Sequence, residues 1–122
     1  MVSQGEIYWV SARDLDVQGG EQQKSRPYVI VSRTRINQMG RTVVGVPFTT
    51  KLNKACAHRI LIPVEYMVKD ISSHRELSTS VALTDHIRVL DSARLELPRM
   101  GYISQNVVGG LELALAYLFD IR

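Results

Sequence analysis

From Ser104 onward the chain carries helical periodicity. Val107, Val108, Leu111, Ala114, Leu115, Leu118 and Ile121 recur at three- and four-residue spacing, which lays them along one face of an amphipathic helix with Ser104 placed as its N-cap. Upstream the pattern is different. Residues 6–10, 26–32, 42–49 and 58–64 are short runs rich in β-branched and aromatic side chains, and each reads as a strand. Residues 79–90 read as two short strands or one bent strand with Asp85 near the break, and residues 97–103 allow another. Pro47 cannot donate to a ladder, so the distal end of the third run is expected at an edge or a bulge. Many short strands and one terminal helix predict an α+β, mainly β, protein on a small, strongly bent sheet or barrel. The loops expected at 11–25, 33–41, 51–57 and 66–78 are long for 122 residues, and long loops on a rigid sheet commonly carry function. That length suits a single domain, 1–122, with one real core.

Fifteen Lys and Arg against twelve Asp and Glu give a formal charge of +3, a balance that permits a polyanionic partner without requiring one. Cys56 is the one cysteine, so an internal disulfide is excluded, in keeping with a reducing compartment. The first residues show no basic stretch followed by an apolar run. The most apolar stretch, 107–119, is short and interrupted by Glu112, too little to cross a bilayer. A soluble, cytoplasmic protein without membrane partners is expected.

Known catalytic spacings are missing. His58, His74 and His86 are scattered and there is no HExxH or CxxC, so no metal site is expected. Neither a phosphate-binding glycine loop nor a GxSxG elbow occurs, and no cofactor is expected. The remaining polar set is Glu21 and Gln22 in the first long loop, Arg26 at a strand start, Thr49 and Thr50 at a strand end, and Asp85 with Arg88 about a bend. Taken singly, each is ordinary solvated surface. Trp9 and Tyr28 read as core or interface, Cys56 as a free thiol, and His86 beside Asp85 as a histidine of structural role.

Order and spacing add more. "GEIYWV", "GEQQKSRPYVIVS", "TVVGVPFTT" and "SVALTDHIRVLDSARL", followed by the terminal helix, resemble the MazF/PemK family of toxin endoribonucleases from type II toxin–antitoxin modules, from about Gly5 to the end. The resemblance implies an SH3-like (CcdB/PemK-like) β-barrel with a C-terminal helix and a homodimer, for which the amphipathic helix and the strand edge expected near Pro47 offer an interface. It also implies metal-independent cleavage of single-stranded RNA, to a 2′,3′-cyclic phosphate and a 5′-hydroxyl, and neutralisation by a cognate antitoxin protein. Carried over residue by residue, it places catalytic roles on Glu21, Arg26 and Thr49, and RNA contacts on Gln22, Thr50, Asp85, His86 and Arg88. The chain departs from the family in two places: His86 stands where the family usually has Gln, and Leu83 stands where some members have a basic residue.

Within that resemblance, the Arg26 fork suits two phosphate oxygens, Thr49 can donate a hydroxyl hydrogen bond, and Glu21 is the candidate proton acceptor, with Asp85 or His86 as rivals. The polar run before Arg26 reads as a flap hinged at Gly19 and Gly20. Two other functions fit the same fold. A CcdB-like, non-enzymatic poison of DNA gyrase is associated with a Trp near the C-terminus, whereas Trp9 is the sole Trp here. A non-cleaving SH3-like module would bind RNA or a peptide and leave it intact.

Overall fold

Glu6–Val10 forms β1 and Arg26–Ile30 forms β2, paired antiparallel with Ile7 opposite Val29 and Val10 opposite Arg26. The structure, a computed structural model, describes residues 1–11 and 25–121. After β2 come α1 (Thr34–Asn37), β3 (Thr42–Thr49), β4 (Leu61–Ile62), β5 (Met67–Lys69), β6 (Ser80–Ala82), β7 (Arg88–Asp91), β8 (Gly101–Ile103) and α2 (Gln105–Phe119). Short 3₁₀ turns span residues 52–54, 64–66, 84–86 and 92–94. The strands form one antiparallel sheet in the order β4, β6, β3, β2, β1, β8, β5, with β7 also on β3. The architecture is thus mostly β with a C-terminal helix, as the sequence predicts.

β3 is the hub. Along one side it pairs with β2; along the other it pairs with β7 through residues 42–45 and then with β6 through Phe48 and Thr49. Val46 and Pro47 fall between those two ladders, where the Pro47 carbonyl accepts a hydrogen bond from Leu83 N at 2.9 Å. A strand residue's nitrogen and carbonyl point to the same side, so the nitrogen of Pro47 faces a gap in which no ladder partner is deprived of a donor. The expected strand edge near Pro47 is therefore corrected: the residue is buried in the middle of the sheet, opposite Tyr28.

Successive strand residues point to opposite faces, and both faces are covered here. Ile7, Val29, Val46 and Phe48 join Met100, Ile103, Val108 and Leu111 in one core. Tyr8, Val10, Tyr28, Ile30 and Val43 join Leu90 and Leu95 in the other. That explains why the central runs read as continuous apolar stretches rather than alternating ones.

Several boundaries differ from expectation. The run 58–64 pairs as a strand only at Leu61–Ile62, because Pro63 cannot donate to a ladder and starts the 64–66 turn. α1 and β5 lie within segments expected to be loops. Ser104 occupies the N-cap position of α2, and its carbonyl accepts from Val108 N at 3.0 Å, but its hydroxyl makes no capping bond. Val108, Leu111 and Ala114 bury the inner face of α2, while Leu113, Tyr117 and Ile121 are exposed at four-residue spacing. The same helix packs against the 84–86 turn.

Candidate functional site

The β2–β3 register places Tyr28 opposite Pro47, and continuing it by two residues brings Arg26 level with Thr49, on the same face of the sheet. Two motifs far apart in sequence thus meet at one end of two adjacent strands. Arg26 Nη1 reaches the Phe48 carbonyl at 3.4 Å, while its Nε is buried and finds no acceptor among the described residues. Partial burial draws the guanidinium's pKa down, opposed by neighbouring Tyr28; arginine nevertheless stays protonated at any working pH. A partly desolvated guanidinium in the lining of a pocket is a cation that an incoming phosphate can pair with. Thr49 Oγ1 accepts from Lys51 N at 3.2 Å, which leaves its own O–H to donate outward.

Arg26 and Thr49 line a pocket of about 320 Å³ with Lys51, Lys54, Arg59, Leu83 and His86. Four cations and an imidazole line it, one of the cations, Arg59, being paired with Asp85, and the remaining positive charge favours an anion there. A larger groove of about 540 Å³ beside Met1, Tyr8 and Leu97 carries no charged side chain, so the two differ in the ligands they can take. The loop after β3 supplies Lys51 and the turn 52–54 supplies Lys54; both side chains are exposed.

Asp85 does not itself line the pocket but is bound to Arg59, which does. Its Oδ1 accepts from Arg59 Nε at 2.7 Å and its Oδ2 from Arg59 Nη2 at 2.5 Å. That two-pronged contact, foremost among the causes, holds the carboxyl below the usual carboxylate range, which makes Asp85 a poor proton acceptor. The same Oδ2 lies 3.9 Å from His86 Nε2 and 4.0 Å from His58 Nε2. Beneath it, the fully buried Thr84 donates its hydroxyl to the His58 carbonyl, tying the 84–86 turn to the segment before β4. Cys56, exposed, sits 3.6 Å from His58 Nδ1.

Among the sequence candidates, the structure gathers Arg26, Thr49 and His86 around one pocket, with Asp85 as the partner of its Arg59. Thr50 is exposed and does not line the pocket, and neither does Arg88. The Arg88 guanidinium instead hydrogen-bonds the Tyr28 side chain, whose hydroxyl burial pushes to higher pKa against the pull of Arg88 and Arg26. Tyr28 is core, and Trp9 is half-buried with the Arg75 guanidinium 4.1 Å above its ring. Glu21, Gln22 and the flap with its Gly19-Gly20 hinge lie outside the described residues. Sequence reasoning did not single out Lys51, Lys54 or Arg59. The available signal was three basic residues within ten positions of the strand-end threonine. Among the described residues no cluster of three or more His, Cys, Asp or Glu could hold a metal ion, and no helix is long and apolar enough to cross a membrane.

Against known proteins, a family model described as the PemK-like, MazF-like toxin of type II toxin–antitoxin systems matches residues 3–119. Among solved structures, the chain is similar to MazF from Deinococcus radiodurans, with a TM-score of 0.73 at 23% identity over 98% of this chain and 96% of that one. It is also similar to an endoribonuclease in complex with its cognate antitoxin from a mycobacterial species, with a TM-score of 0.71 at 20% identity over 100% and 98% of the two chains. The Mycobacterium tuberculosis toxin MazF-mt6 gives 0.70 at 18% identity over 96% and 98%.

Proposed function

We propose, on the premise that this chain belongs to the PemK-like, MazF-like toxins of type II toxin–antitoxin systems, that it is an endoribonuclease cutting single-stranded mRNA in the cytoplasm. The observation that carries the reading is that Arg26 and Thr49, brought near each other by the β2–β3 register, both line one cationic pocket. RNA brings its own nucleophile, the ribose 2′-hydroxyl. The protein has to align that group with the phosphorus, disperse the charge of the phosphorane and manage two protons. Arg26 takes two non-bridging oxygens, Thr49 donates to one of them, and Lys51 and Lys54 hold the flanking backbone. Glu21 takes the 2′-hydroxyl proton, and no metal is needed. The products are a 2′,3′-cyclic phosphate and a 5′-hydroxyl. Single strands are the substrate because an A-form duplex hides its base edges.

The active form is a homodimer. Leu113, Tyr117 and Ile121 form an exposed apolar stripe along and just beyond α2, which a second copy covers. The partner antitoxin lays an acidic segment into the cationic pocket and competes with RNA there, an association weakened by salt.

The test is to incubate the purified protein with a long RNA in EDTA and sequence the new 5′ ends. Discrete cuts bearing 5′-hydroxyls are expected. RNA that stays intact would remove the enzymatic reading and return the gyrase poison or the non-cleaving module.

A further inference from the structure

Resting on that ribonuclease reading, we propose that His86 is the general acid of the reaction, handing a proton to the 5′ oxygen as it leaves. The seven residues lining the pocket are Arg26, Thr49, Lys51, Lys54, Arg59, Leu83 and His86. Guanidinium and ammonium groups hold their protons too tightly to release them at neutral pH, a threonine hydroxyl is no acid, and leucine has nothing to give. Imidazole both carries and releases a proton within roughly pH 5–8. Among the described residues that line the pocket, His86 alone has that capacity.

Its setting fits the task. The backbone is fixed by His86 N donating to the Leu83 carbonyl at 2.9 Å, by buried Thr84 beside it, and by α2 packed on the turn. The imidazole is half-exposed on the pocket wall, where it can touch a bound phosphate ester. The Asp85 carboxylate, locked by Arg59, lies 3.9 Å from Nε2, the cations Arg26, Lys51, Lys54 and Arg59 share the pocket, and His58 approaches the same carboxylate oxygen. Asp85 is thus a positioning residue, committed to Arg59 and acting through His86.

In the step proposed, the 2′ oxygen forms a bond to phosphorus and loses its proton to a carboxylate base. The bond from phosphorus to the 5′ oxygen breaks, its electron pair goes to that oxygen, and the imidazolium supplies the proton that makes it a hydroxyl. Imidazole leaves neutral and is reprotonated from water. A glutamine, which the family resemblance places at this position, cannot release a proton. The chain's departure from the family therefore predicts a pH dependence that an amide does not confer.

The experiment compares the wild type and His86→Gln on two substrates, an ordinary RNA and the same RNA with a 5′-bridging sulfur at the cut site, whose thiolate leaves without protonation. On ordinary RNA the variant is expected to be slower by about a hundredfold or more at saturating RNA and to lose the rate decline above neutrality, with the melting temperature unchanged. On the sulfur substrate the two proteins should cleave at similar rates. An equal defect on both substrates, or none on either, overturns the assignment while leaving the ribonuclease reading standing. Failure of the wild type to cut ordinary RNA overturns both.

Discussion

Arg26 is held at the start of β2, its guanidinium steadied by the Phe48 carbonyl at the pocket lining, so the cation is in place before any phosphate arrives. Losing one such preorganised donor costs about a hundredfold or more in turnover. Arg26→Ala is expected to show that loss in single-turnover cleavage, with a smaller fall in RNA affinity because Lys51 and Lys54 remain. Arg26→Lys should recover only part, since a point charge lacks the fork; full activity in Arg26→Ala would end the phosphate-clamp assignment. Arg59 acts differently, because its fork is spent on Asp85. Arg59→Ala should let the Asp85 carboxyl titrate at higher pH, a shift readable by NMR, and an unmoved Asp85 would show that the contact does not exist in solution. Arg26 and Thr49 were legible in the sequence because each stands in a distinctive local motif. Lys51, Lys54 and Arg59 were not, since a lysine in a loop looks the same whether or not a pocket opens beside it.

At the scale of elements, strands with their own strong composition were readable: β1 and β3 run over the residues their β-branched content predicts. β5 was not, because Met67–Lys69 has no pattern of its own and becomes a strand only by lying against β8. The approach of those two strands is unforgiving at Gly101, where an added Cβ would meet the Val68 carbonyl oxygen at 2.1 Å. That oxygen is backbone and cannot swing aside, so the strands themselves have to part. Gly101→Ala is expected to destabilise the fold by about 1–3 kcal/mol, measured as a lower urea midpoint, and unchanged stability would show that β5 is not fixed to β8 in solution. The Pro47 expectation failed for a related reason. Whether a proline marks an edge depends on what the neighbouring strands do, and here β6 and β7 divide one side of β3 between them and leave the proline in the gap.

For the molecule as a whole, acid is expected to loosen the fold. Asp70 accepts from the Ser72 hydroxyl and amide and from Arg99, and is drawn from 3.8 to about 2; Glu96, bound by Arg75, is also lowered. Carboxyls with depressed folded pKa values stabilise fully above their unfolded values and lose that contribution as pH falls through the folded ones. The melting temperature should therefore drop between about pH 4 and pH 2, less steeply in Asp70→Asn, and an identical slope in that variant would remove Asp70 from the account. The proposed homodimer has its own test: the wild type should sediment as a dimer and Leu113→Lys, on the exposed stripe of α2, as a monomer; a monomeric wild type would remove the dimer, and a dimeric variant would move the interface elsewhere. Covering both faces of the sheet has a further cost, borne before folding finishes. The run from Val43 to Phe48 has no polar side to turn outward, and it emerges from the ribosome ahead of β6 and β7, which will flank it. In that interval a long, uncharged β-prone segment can stack against copies of itself. Pro47 interrupts it, acting as a gatekeeper against self-association at a position where the finished sheet has no use for the missing donor.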